Sequence, residues 1–231
     1  MKKYQHIFFD LDHTLWDYDS NVRETLFELF SHYHLGDLGG IAFEAFFEAF
    51  LFTNYELWDQ FNQGKVDQAE MQQSRFIKVF TRAKLPAESL PGTFERDFVT
   101  QTSSKSKVMD HSFEILDYLN DDYALHIITN GFNESQYSKL KCSGLARYFD
   151  LIVTSESSGF RKPDKRIFAH ALQKLGTKPS NCLMIGDNPD SDILGAKNAA
   201  IDQVYYNPRG VTHQVEPTYT IRHLSELRAI L

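Results

Sequence analysis

The sequence predicts an α/β fold: a parallel sheet with helices on both faces, carrying an all-helical insertion after its first strand. Two observations carry this expectation. From residue 110 onward, short apolar runs alternate with stretches of helical period, the pattern of strand–helix units that wind into a parallel sheet. From 17 to 103 no strand pattern occurs, although an apolar run at 7–9 has already supplied one strand. The expected division is a core formed by 1–16 and 104–231, and a helical unit at 17–103.

Taken in order, the first strand, Ile7-Phe8-Phe9, is apolar throughout and therefore buried on both faces. Helical spacing follows at 21–35 through Val22, Leu26, Leu29 and Phe30, and Gly39-Gly40 breaks it. A second helix at 41–61 carries six phenylalanines on more than one face, so its surroundings are expected to be other helices. Asp67 opens a third helix that stops before Pro86, and a fourth runs to about 102. Further strands are expected at 124–129, 151–154, 183–185 and 203–206, the last of them closing the sheet. Helices are expected at 111–119, 135–142, 164–175 and 190–200.

The 231 residues suffice for one domain plus a large insertion, and 42% hydrophobic with 24% charged residues is ordinary for a globular chain. A net charge of −7 argues against a nucleic-acid polymer or an anionic membrane as partner. Cys142 and Cys182 lack the spacing of a zinc site or redox pair and are expected to be reduced. No signal-peptide pattern and no membrane-spanning run is found, so a cytoplasmic location is expected. The oligomeric state is left open.

The strand ends carry the chemistry. The first leads into Asp10-Leu11-Asp12, and an acidic pair at the carboxyl end of a buried strand calls for a cation. Open α/β sheets place their ligands at that end. The chain is expected to turn at Asp12, leaving one carboxylate and one backbone carbonyl near a common point. The second strand ends in Thr129-Asn130-Gly131, a hydroxyl, an amide and a glycine that lets backbone approach a ligand. Lys162 follows the third, and Gly186-Asp187 with Asp190 and Asp192 follows the fourth. Asp10, Asp187 and the carbonyl of Asp12 are hard oxygen ligands suited to Mg²⁺. Thr129, Lys162 and backbone N–H groups near Asn130 and Gly131 offer donors to a phosphate. Together they point to phosphoryl transfer, with Asp10 as nucleophile and Asp12 as general acid and base. Lys162 and the metal would keep Asp10 ionised and offset phosphoryl charge.

These four motifs, in this order, resemble the haloacid dehalogenase-like hydrolase superfamily: Asp10/Asp12/Thr14, then Thr129, then Lys162, then Gly186/Asp187/Asp192. The resemblance spans the core and implies a Rossmann-like fold, an aspartyl-phosphate intermediate and Mg²⁺. The insertion resembles that superfamily's α-helical C1 cap, which would close over the cleft and select the leaving group, and 162–186 leaves no room for a second cap. Asn54-Tyr55-Glu56-Leu57-Trp58-Asp59-Gln60-Phe61, Gly64-Lys65 and Arg75-Phe76 are similar to the cap of the noncanonical pyrimidine 5′-nucleotidases. Thr129-Asn130-Gly131-Phe132 and Asp192-Ile193-Leu194-Gly195-Ala196 are similar to the same subgroup. The implied substrate is a pyrimidine nucleoside monophosphate. Ala200 departs from that subgroup, which has glycine there, and His13 stands at a variable position.

Plainer readings stand beside these. Thr129 alone could be a strand-end hydroxyl bonded to backbone, and Lys162 alone a surface charge. Asp190 is expected to cap the following helix, and Asp192 to support the ligands rather than to be one. The phenylalanines of the insertion are expected to be core, with Trp58 and Lys65 as candidate substrate contacts. None of the nine histidines is assigned to metal. Rival functions are another small-metabolite phosphatase such as one for a sugar phosphate, a phosphomutase, a dehalogenase, and a non-catalytic binder of a phosphate ligand or a partner protein. Asp12 and Asp187 speak against the dehalogenase, which needs neither an acid two residues on nor Mg²⁺.

Overall fold

The computed structural model describes residues 3–231. The chain divides into two compact units, one of 1–18 with 106–231 and one of 19–105. The division falls two residues beyond the sequence boundary at each end. Tyr18 packs edge-on to Trp16 at 6.2 Å, which ties it to the first unit. Lys105 pairs with Glu24 and Glu28 at 2.8 and 2.7 Å, which ties it to the second.

Among the described residues of the first unit, six strands form one parallel sheet: β1 His6–Phe9, β2 Ala124–Thr129, β3 Leu151–Thr154, β4 Cys182–Gly186, β5 Asp202–Tyr206 and β6 Tyr219–Ile221. Their order is β3-β2-β1-β4-β5-β6, and every pairing is parallel. β6 is a correction to the sequence reading, which ended the sheet at β5. Only three residues long and read from a stretch beginning Pro217-Thr218, it has no apolar run to betray it. β1 lies at the centre, with Phe9 level with Ile127 of β2 and with Ile185 of β4. The chain winds outward from β1 through β2 to β3, then crosses back to β4, so the strand order reverses beside β1. Apolar side chains fill both faces, Ile7, Phe9, Leu125, Ile127, Leu183 and Ile185 on one and Phe8, Ile128, Val153 and Met184 on the other.

The second unit is helical: α1 begins at Tyr18 in the first unit and runs to His32, followed by α2 Phe43–Asn62, α3 Gln68–Arg82 and α4 Phe94–Ser104. Phe46, Phe50, Phe61, Phe76, Phe80 and Phe94 are buried, and Phe76 meets Phe94 edge-on at 4.6 Å. Phe52 lies outside this core, exposed beneath the Arg82 guanidinium at 3.8 Å. The helices of the first unit are α5 Ser112–Asn120, α6 Asn133–Cys142, the single turn α7 Ser155–Ser158, α8 Lys165–Leu175 and α9 Leu194–Asn198. Before α9, Pro189–Ile193 forms one wide π turn. It is capped by Asn188, whose side chain accepts from the N–H groups of Asp190 and Ser191, each at 3.0 Å. Asp190 therefore receives the cap rather than providing it, because the wide turn begins one residue earlier than helical spacing suggests. Among the described residues no helix is long and apolar enough to cross a membrane.

Candidate active site

β1 ends at Phe9, and the Asp10 N–H still donates to Ile185 O at 2.9 Å, so Asp10 continues the sheet by one residue. The chain then turns. Leu11 O accepts from the N–H groups of Thr14, Leu15 and Trp16, and His13 takes a left-handed conformation with φ 64°. That turn separates the two aspartates of the first motif.

Asp10 meets Asp187 and Asp192: one carboxylate oxygen from each lies within 4.8 Å of the others. Lys162, 1% exposed, reaches into this group from the loop before α8. Its Nζ lies 2.5 Å from Asp10 Oδ1, 2.6 Å from Asp192 Oδ1 and 2.7 Å from Ile128 O. Three acceptors thus meet the three donors of the ammonium. As placed, the ammonium has no donor left over for a further acceptor. Asn130 fixes the same loop, its side chain accepting from the Lys162 N–H at 2.7 Å and donating to Lys162 O at 2.9 Å.

The second acidic cluster is built by close approach. Asp192 Oδ2 accepts from the Asn188 N–H at 3.0 Å, and the carboxylate packs directly on Gly186, where a Cβ would collide with it. The fully buried Thr14 hydroxyl donates to Asp187 Oδ1 at 3.1 Å. Thr129 is also buried: its hydroxyl accepts from the Gly131 N–H at 3.1 Å and faces Gln136 Oε1 at 3.4 Å. The Gly131 N–H is thereby turned to the Thr129 hydroxyl. Trp58 and Lys65 lie in the helical unit. Trp58 is half-buried on α2, edge-on to Phe61 at 5.4 Å, and Lys65 is exposed in the turn after α2.

The Asp12 carboxylate takes a different direction. Lys139 Nζ holds both its oxygens, at 2.7 and 2.9 Å, and Gln136 Nε2 donates to Oδ2 at 3.0 Å. Sequence reasoning placed a helix here but missed both residues. The available signal was that α6 follows directly on Thr129-Asn130-Gly131, so its polar side chains at 136 and 139 begin beside the strand ends.

The electrostatics call for a cation. Burial, opposed by Lys162, pushes the Asp10 carboxyl up to about 7. Burial, with the charges of Asp192 and Asp10 beside it, holds Asp187 well above the usual carboxylate range. The Lys162 pKa is raised as well, which for a lysine favours the charged form: burial works against its charge, but Asp10 and Asp192 outweigh it. Three carboxylates face one ammonium, and a divalent cation among hard oxygen donors would balance them. The residues fit such an ion.

Residues 4–200 match the family model described as haloacid dehalogenase-like hydrolase. The chain belongs to this family. It is 32% identical over 233 residues to the pyrimidine 5′-nucleotidase YjjG of Escherichia coli, covering 99% of this chain and 98% of that one. It is 29% identical over 229 residues to the pyrimidine 5′-nucleotidase PynA of Streptococcus pneumoniae, covering 97% and 93%. A solved structure of the putative hydrolase YfnB from Bacillus subtilis, bound to magnesium, superposes with a TM-score of 0.88 at 29% identity over 99% of both chains. Within its family the chain stands with hydrolases of phosphoric monoesters.

Proposed function

We propose that this protein is a Mg²⁺-dependent phosphatase that works through an aspartyl-phosphate at Asp10, with pyrimidine nucleoside monophosphates as its substrate class. The observation that carries the proposal is the buried meeting of Asp10, Asp187, Asp192 and Lys162 at the carboxyl end of the central strand. Full-length similarity to two pyrimidine 5′-nucleotidases supports the substrate class.

In this reading Asp10, Asp187 and the main-chain carbonyl of Asp12 would hold the metal, and Asp192 anchors Lys162 and the loop at Asn188. Bound Mg²⁺ would neutralise phosphoryl oxygens and align the phosphorus with Asp10. Asp10 attacks phosphorus, and the bond to the ester oxygen breaks as Asp12, which enters the step as the carboxylic acid, gives that oxygen its proton. Asp12, now a carboxylate, takes a proton from water, whose oxygen attacks phosphorus and returns Asp10 with release of inorganic phosphate. Thr129 is the side-chain donor to a phosphoryl oxygen, exchanging its long contact with Gln136 for a charged acceptor. Asn130 and Gly131 shape that loop, and Lys162 offsets charge throughout. Trp58 and Lys65 are the candidates for reading the leaving group.

The test is phosphate release from UMP, dUMP, dTMP, purine monophosphates and sugar phosphates, with Mg²⁺, with EDTA, and with Asp10→Asn. Release that needs Mg²⁺, is abolished by Asp10→Asn and favours pyrimidines is the expected result. A preference for sugar phosphates would overturn the substrate class and keep the chemistry. No release from any ester would overturn both.

A further inference from the structure

The sequence motifs give Asp10 a lysine partner, Lys162. The structure gives Asp12 one as well. Lys139 is 5% exposed, and its ammonium reaches both Asp12 oxygens while lying 4.5 Å from the centre of the Trp16 ring and 5.6 Å from that of Tyr18. A lysine is rarely buried unless it is paired, because removing an ammonium from water is costly. α6 nevertheless buries Gln136, Lys139 and Leu140, two of the three polar, where a helix on a sheet normally buries apolar side chains.

We propose that Lys139 and Gln136 are positioning residues for the acid–base step, aiming the Asp12 carboxylate at the ester oxygen. This rests on the reading of Asp12 as the group that exchanges the proton. Three features support it. The carboxylate is gripped at both oxygens by Lys139 and at one by Gln136, so its rotation is fixed from the α6 side. It is absent from the cluster of Asp10, Asp187 and Asp192, so the pairing with Lys139 leaves it apart from the carboxylates that would hold the metal. Gln136 links the site's two halves: Nε2 donates to Asp12, Oε1 faces the Thr129 hydroxyl, and its side chain fills the space where a Cβ on Gly131 would sit. The Trp16 face supports the ammonium from the other side.

The test separates aiming from folding by the leaving group. A p-nitrophenyl ester leaves with little help from an acid, whereas an alkyl phosphate such as a nucleoside 5′-monophosphate needs one. Lys139→Met keeps the bulk over Trp16 and removes the grip. Its kcat is expected to fall about tenfold further on the fastest alkyl ester than on p-nitrophenyl phosphate, with KM changed little. Lys139→Arg, which restores a two-pronged donor, recovers part of that selective loss. Asp12→Asn is the control, with a selective loss larger still, and thermal melting shows that each variant is folded. Equal losses on both esters for Lys139→Met, beside a selective loss for Asp12→Asn, would make Lys139 merely structural and overturn the proposal. No selectivity in Asp12→Asn would overturn the acid–base reading itself, and with it this inference.

Discussion

A fully buried hydroxyl, that of Thr14, donates to Asp187 Oδ1 across 3.1 Å and touches none of the groups proposed to react. Its effect is to orient one proposed metal ligand. Thr14→Val is therefore expected to raise the Mg²⁺ concentration for half-maximal activity by about 10–100-fold while leaving the activity at saturating Mg²⁺ much closer to the parent's. Titration of activity with Mg²⁺ checks this. Ala200 is a second single-residue case. It is exposed and follows α9 with φ 58°, a left-handed conformation in which a Cβ is disfavoured. Ala200→Gly is expected to stabilise the protein by about 1 kcal/mol, read as a higher melting temperature. Asp10 and Asp187 are legible in the sequence because each directly follows an apolar run that marks a strand end, whereas Lys162, a helical turn beyond β3, stands out only by its place in the order of motifs. Gln136 and Lys139 are not legible, because two polar side chains on a helix read as its solvent face until the fold shows them pointing inward.

Among the elements, α3 carries a complete start signal. The Asp67 side chain accepts from the Glu70 N–H at 2.8 Å, and Glu70 Oε2 accepts from the Asp67 N–H at 2.9 Å, closing a capping box at a helix start that sequence spacing already marks. Asp67→Ala is expected to cost about 1 kcal/mol, measured by denaturant unfolding of the whole protein. Helix starts with such chemistry and strands with apolar runs are the elements a sequence states openly. β6 and the π turn at Pro189–Ile193 are not of that kind. The first exists because β5 offers an edge to pair with, and the second because Asn188 and the packing of Asp192 on Gly186 set its width. Both are decided by tertiary contacts that no local pattern encodes.

At the scale of the whole molecule, the core of the sheet carries one titrating group with a clear effect on stability. His126 of β2 is 1% exposed, its Nε2 lies 3.1 Å from His6 Nδ1, and its own Nδ1 has no hydrogen-bond partner. Burial, with His6 beside it, lowers its pKa from 6.5 to about 4. The folded state refuses a proton that the unfolded chain accepts, so this stability is full above pH 6.5 and is lost as the pH falls towards 4. The loss is on the order of 3 kcal/mol. Unfolding midpoints across that range should fall less steeply for His126→Phe than for the parent protein. The sheet itself follows from its alternating strand and helix signals, and its order gathers four separate motifs beside β1. Their common target is Asp10, so the central claim concerns what Asp10 becomes. The most direct measurement is to quench the enzyme during turnover of a phosphomonoester with Mg²⁺, reduce the protein with borohydride, and map it by mass spectrometry. An acyl phosphate is reduced to an alcohol, so homoserine at position 10 is the predicted result, absent without substrate. Phosphate release with Asp10 intact in every quenched sample, or homoserine at another aspartate, would contradict the account.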